Sequence, residues 1–83
     1  MATRRGGMAW QDRIAIDPQI MGGKPVIKGT RVPVQVLVGS LAGGSTVAEL
    51  CEGYGVTEDD VRAALAYAAE VLGQERLYAL PGR

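Results

Sequence analysis

Lys24, Lys28 and Arg31 place three cations in one short stretch, Gly22-Gly-Lys-Pro-Val-Ile-Lys-Gly-Thr-Arg-Val-Pro33. Cations held at fixed spacing on a stiff backbone can pair with phosphate oxygens. The stretch supplies the stiffness. Pro25 and Pro33 fix φ and remove a donor. Gly22, Gly23 and Gly29 mark the points where the chain can turn with positive φ. Val26, Ile27 and Val32 are β-formers. The pattern predicts a tight turn or small hairpin around Lys28-Gly29, with Pro33 opening a helix as its first helical residue. Arg4 and Arg5, in a Gly-rich N-terminal arm, could add phosphate contacts. The other reading of the ribbon's charges is solvation plus pairing with the acidic half of a partner chain.

Enzymatic chemistry finds no footing in these residue types, and the chain is not expected to be an enzyme. There is no His, and no nucleophile–base pair can be picked out. Gly-Gly-Lys-Pro is not a P-loop, because that motif places Lys before Ser or Thr rather than before Pro. A single cysteine, Cys51, cannot build a zinc site or an intramolecular disulfide. It falls on a helical stripe and reads as a small core residue. Asp59 and Asp60 are adjacent, so on a helix they face different ways. A helix cap and the helix dipole explain them better than paired acid–base work. No cofactor, metal or small-molecule substrate is expected.

The elements that position these residues follow from periodicity. Residues 1–13 read as a flexible basic arm, and Met8 offers an alternative start. Residues 13–16, Arg-Ile-Ala-Ile, read as a short strand, with Asp17-Pro18 turning the chain after it. Trp10 is expected to pack beneath that strand. Residues 34–42 fit both a strand and a helix. Pro33 before them and Gly43-Gly44 after them favour the helix. Thr46-Val-Ala-Glu49 is a capping box that starts a helix over Thr46–Tyr54, with Val47, Leu50 and Cys51 as its buried stripe. Thr57 caps the last helix, Thr57–Leu72, with Asp60 in the reciprocal position and Val56 and Val61 at the staple positions. Val61, Leu65, Ala68 and Leu72 give its apolar face, widened by Ala64 and Val71. Gly73 is expected to terminate it.

The fold class is therefore mainly α: a tri-helical helix-turn-helix unit with a small N-terminal β-hairpin or ribbon over residues 14–73. Residues 74–83 read as a C-terminal partner-binding tail. A chain of 83 residues builds only one modest core and gains from pairing, so a homodimer is expected. Net charge is zero but unevenly laid out. Residues 1–43 carry six cations and two anions, and residues 44–83 carry three cations and seven anions. No apolar run approaches the ~20 residues that span a bilayer. No secretory signal is evident, and the chain reads as cytoplasmic.

At this point the residues carry a resemblance. Ile16-Asp-Pro, then Gly22 to Val34, then Leu41-Ala-Gly-Gly-Ser-Thr46, then Tyr54-Gly-Val-Thr-Glu-Asp-Asp-Val-Arg-Ala-Ala-Leu-Ala-Tyr-Ala68 resemble the bacterial family catalogued as domain of unknown function number 433. The resemblance covers about residues 14–72. It implies a homeodomain-like helical fold with a small β element. It also implies an antitoxin of a type II toxin–antitoxin pair, standing beside a PIN-like ribonuclease toxin. The expected function is then a dimeric antitoxin that masks the toxin and binds its own operator DNA. The alternative is a homodimeric protein–protein interaction module with no DNA binding.

The family resemblance transfers no catalytic residues. PIN-like ribonucleases hold divalent metal with clustered carboxylates, and a guanidinium among them competes by bidentate pairing. Arg76 or Arg83, on a tail anchored by Leu77, Tyr78 and Leu80, would do this. One feature opposes the usual helix-turn-helix contact with DNA. The first turns of the last helix offer Glu58, Asp59 and Asp60 with only Arg62, so the ribbon is placed ahead of that helix as the DNA-facing surface.

Overall fold

Two threonines set the helical half of the fold by the same device. Thr46 Oγ1 accepts the Glu49 N–H at 3.0 Å, and Glu49 Oε1 accepts the Thr46 N–H at 2.8 Å. Thr57 Oγ1 accepts the Asp60 N–H at 3.0 Å, and Asp60 Oδ2 accepts the Thr57 N–H at 3.0 Å. Each exchange satisfies donors that a helix start leaves without partners. The computed structural model of the chain describes residues 9–74. Within them lie β1 (Ile14–Ala15), β2 (Val26–Ile27), α1 (Val34–Ala42), α2 (Val47–Tyr54) and α3 (Glu58–Gln74). Short 3-10 turns at Trp10–Asp12 and Met21–Gly23 precede the two strands.

This is the expected class: three helices with a small antiparallel two-stranded sheet at the N-terminal side. β1 and β2 pair in the register Ile14 to Ile27 and Ala15 to Val26. The ribbon also turns back on itself. Val26 bridges to Pro33, and the Ile27 and Val34 N–H groups donate to Val32 and Pro25 carbonyls at 2.9 Å each.

The core lies between the sheet and the three helices. Ile14, Ile27, Val34, Leu37, Leu50, Val56, Val61, Ala63 and Ala64 form one buried cluster, with Val47 and Cys51 partly buried against it. Each large aliphatic side chain buried there contributes about 1.5–3 kcal/mol. Val56 and Val61 are both buried, as a staple across the α3 start requires. Gly55 ends α2 in the left-handed region at φ 71°, which lets α3 begin after only two further residues.

Three expectations are corrected. Pro33 is the N-cap of α1 with extended φ and ψ (−70° and 144°), not its first helical residue. Its preset φ suits both positions, and the ribbon bridge at Val26 holds it extended. Gly73 does not terminate α3, which continues to Gln74. A single exposed glycine lowers helix propensity without breaking the hydrogen-bond ladder. The buried face of α3 also differs in part from the one expected: Val61 and Ala64 are buried as expected, but the larger residues towards its C-terminal side are not. Leu65, Val71 and Leu72 are exposed, Leu72 by 60%. Ala63, outside the expected face, is fully buried beside Ala64, because their small side chains permit close packing of neighbouring elements.

Candidate nucleic-acid interface

The turn that carries Lys28 is built by three groups. The Thr30 N–H and Thr30 Oγ1 both donate to the Ile27 carbonyl, at 2.9 and 2.7 Å. Thr30 Oγ1 in turn accepts the Val32 N–H at 3.0 Å. Gly29 takes φ 80°, and nothing lies within 4 Å of where its Cβ would stand. The glycine is therefore required for its backbone angle rather than for space. The Lys28 N–H donates to the Arg13 carbonyl at 2.8 Å, which fixes the turn to the start of β1. Gly22 and Gly23 also take positive φ, 67° and 88°, in the turn after Met21.

On this frame Lys28 and Arg31 flank the Gly29 turn, and both are exposed. Arg31 lines a hollow of about 580 Å³ with Gly29, Thr30, Ala15, Ile20 and Val26. Lys24 is exposed at the other end of the ribbon, where it borders a separate apolar groove against α1 and α3. Among the described residues none of these three cations makes an ion pair. Arg4, Arg5, Arg76, Leu77, Tyr78, Leu80 and Arg83 lie outside the described residues.

The acidic start of α3 behaves differently. Arg13 Nη1 contacts Asp60 Oδ1 at 3.0 Å and Arg13 Nη2 reaches Asp59 Oδ2 at 3.7 Å. Arg62 contacts Asp59 at 3.2 Å and Glu58 at 3.4 Å. All three carboxylates also sit at the positive end of the helix dipole. Burial by itself pushes the Asp60 carboxyl up. The Thr57 N–H, the Arg13 guanidinium and the Thr57 hydroxyl outweigh it, and hold the carboxyl below the ordinary aspartate range. The carboxylates are thus spent on capping and pairing. A polyanion brought to this end of α3 would meet negative charge around a single exposed Arg62.

Sequence reasoning did not find Arg13 as the partner of Asp60, because the two are 47 residues apart and no local pattern links them. Trp10 is partly buried against the core cluster that includes Ile14 of β1, and its ring also stands edge-on to Tyr67 of α3, with centroids 4.9 Å apart. Its indole N–H donates to Glu70 Oε1 at 2.6 Å. An amphipathic indole near the surface needs a polar partner for its N–H, and α3 offers one. Among the described residues no three His, Cys, Asp or Glu side chains gather as a metal site would need, and no helix is long and apolar enough to cross a membrane.

A tri-helical domain with a braced basic ribbon in front of it is the class that fold and site define. The chain belongs to the family described as "Protein of unknown function (DUF433)", whose model matches residues 14–68. It is similar to the crystal structure of a DUF433 member from Anabaena variabilis, with TM-score 0.70 and 37% identity, covering 77% of this chain and 64% of that one. It is also similar to the crystal structure of Rv2018 from Mycobacterium tuberculosis, with TM-score 0.58 and 38% identity over 63% of this chain and 24% of that one. An uncharacterized protein of Sinorhizobium fredii, y4eO, is 36% identical over 61 residues, 72% of this chain and 28% of that protein. The chain thus spans under a third of y4eO and about a quarter of Rv2018.

Proposed function

We propose that this chain is the antitoxin of a type II toxin–antitoxin pair. It acts as a dimer that grips the phosphates of its own operator through Lys24, Lys28 and Arg31, while Arg76 to Arg83 mask a PIN-like ribonuclease. The antitoxin role is what the family resemblance implies. The observation that carries the DNA-facing part is the exposed Lys28–Arg31 pair on the braced Gly29 turn, free of ion pairs among the described residues. The paired, acidic start of α3 turns the reading away from α3 as a base-reading helix.

A fluorescence anisotropy titration against the chain's own upstream promoter, beside an unrelated duplex, tests it. The expected result is salt-sensitive binding that prefers the promoter. Absence of binding at low salt would defeat the DNA-facing part. A second reading, an interaction module without DNA binding, is favoured by the apolar groove between α1 and α3, a surface suited to protein rather than to phosphate.

A further inference from the structure

The groove between α1 and α3 holds about 420 Å³ and is lined almost wholly by apolar groups, among them Pro33, Val34, Val38, Tyr67 and Val71. Leu72 also borders it and is 60% exposed. Exposed aliphatic groups around an apolar hollow mark a surface that gains from being covered. We propose that its occupant is this chain's own segment 75–83, seated by Leu77, Tyr78 and Leu80.

Position and reach support that occupant. α3 is described to Gln74, only two residues past Leu72, so residue 75 begins at the groove's own end. From Tyr67 to Gln74 the helix advances roughly 10 Å. Nine extended residues reach roughly 30 Å, ample to double back along the whole groove. The chemistry also matches. Segment 75–83 holds three large apolar residues, Leu77, Tyr78 and Leu80, and the groove's lining is apolar apart from Lys24 and Gln35 at its rim.

The inference stands apart from DNA binding and from any toxin. It bears on the proposed function in one respect: if the same residues mask a toxin, toxin capture must compete with the groove. The test therefore uses the free full-length chain. Methyl-labelled protein is examined by NMR at two concentrations, together with a half-labelled, half-unlabelled mixture. The expected result is nuclear Overhauser contacts from the Tyr78 ring to Val38 and Val71 methyls, equal at both concentrations and absent from the mixed-label intermolecular spectrum. In the L77S/Y78S/L80S variant the Val38 and Val71 methyl shifts should move while those of Leu50 and Val56 stay. Contacts appearing only between labelled and unlabelled chains would assign the groove to a second copy and overturn the proposal. So would an absence of contacts, or methyl shifts that ignore the three substitutions. The wild-type contacts decide the matter even where the variant fails to fold.

Discussion

The start of α3 and the Gly29 ribbon are both short, densely charged stretches, yet the fold treats them in opposite ways. At the start of α3, Asp60 is capped by Thr57 and paired with Arg13, while Asp59 and Glu58 lean on Arg62. On the ribbon the backbone is closely braced, but the side chains of Lys28 and Arg31 are left exposed. Charge density in sequence is therefore a poor guide to function. What separates the two stretches is whether the tertiary structure supplies counter-charges.

That contrast predicts different costs of mutation. The largest belongs to α3. Asp60→Ala removes the acceptor of the Thr57 N–H and the nearer partner of Arg13, leaving it only Asp59 at 3.7 Å, and should cost about 2 kcal/mol in chemical denaturation. A loss below the error of such a measurement would mean that the cluster is as idle structurally as an exposed surface pair. Gly29→Val should cost about 1–2 kcal/mol. Nothing lies within 4 Å of where a Cβ would stand, so the effect comes chiefly from forcing a β-branched residue to positive φ. An unchanged melting temperature would show that the turn relaxes to negative φ.

Thr57→Ala should cost roughly 1 kcal/mol through loss of one half of the cap, read as a lowered thermal midpoint. Smallest in stability terms is Lys28→Ala with Arg31→Ala, expected within about 0.5 kcal/mol of the parent. The same pair should weaken promoter binding and lower the salt-dependence slope by about 1 per lost phosphate contact. If this pair destabilised the fold as much as Asp60→Ala, the contrast between the two stretches would collapse.

The pH dependence sharpens the same comparison. The Asp60 carboxyl is held below its ordinary range in the folded chain. The unfolded chain therefore takes up that proton at a higher pH than the folded one. The stabilisation is present above the ordinary aspartate value and is lost as pH falls through the lower folded value. Acid titration of stability should show this limb in the parent and a shallower one in Asp60→Asn. Lys28→Ala should leave the limb unaltered.

The two stretches also differ in how far they could be read from sequence. The caps at Thr46 and Thr57, the Gly29 turn and the strand within 13–16 were legible, because each rests on contacts among residues a few positions apart. Pro33 was misplaced by one position, and the helix ran through Gly73. Local rules place an element more reliably than its last residue. Of the apolar face expected for α3, Val61 and Ala64 are buried, whereas hydrophobicity alone favours Leu65 and Leu72, which are exposed, over Ala63, which is buried. The ribbon cations were identified by type, but their lack of counter-ions among the described residues was a fact about the whole domain.

The sequence by itself determined the helix starts, the glycine turn and the uneven layout of charge, since these depend on backbone sterics and on donors and acceptors close along the chain. Only the tertiary structure decided that Arg13 meets Asp60, that Trp10 meets Tyr67 and Glu70, and that α1 and α3 leave an apolar groove between them. Those outcomes join residues far apart in the chain. Their energies come from packing, desolvation and long-range pairing, which have no signature in local spacing.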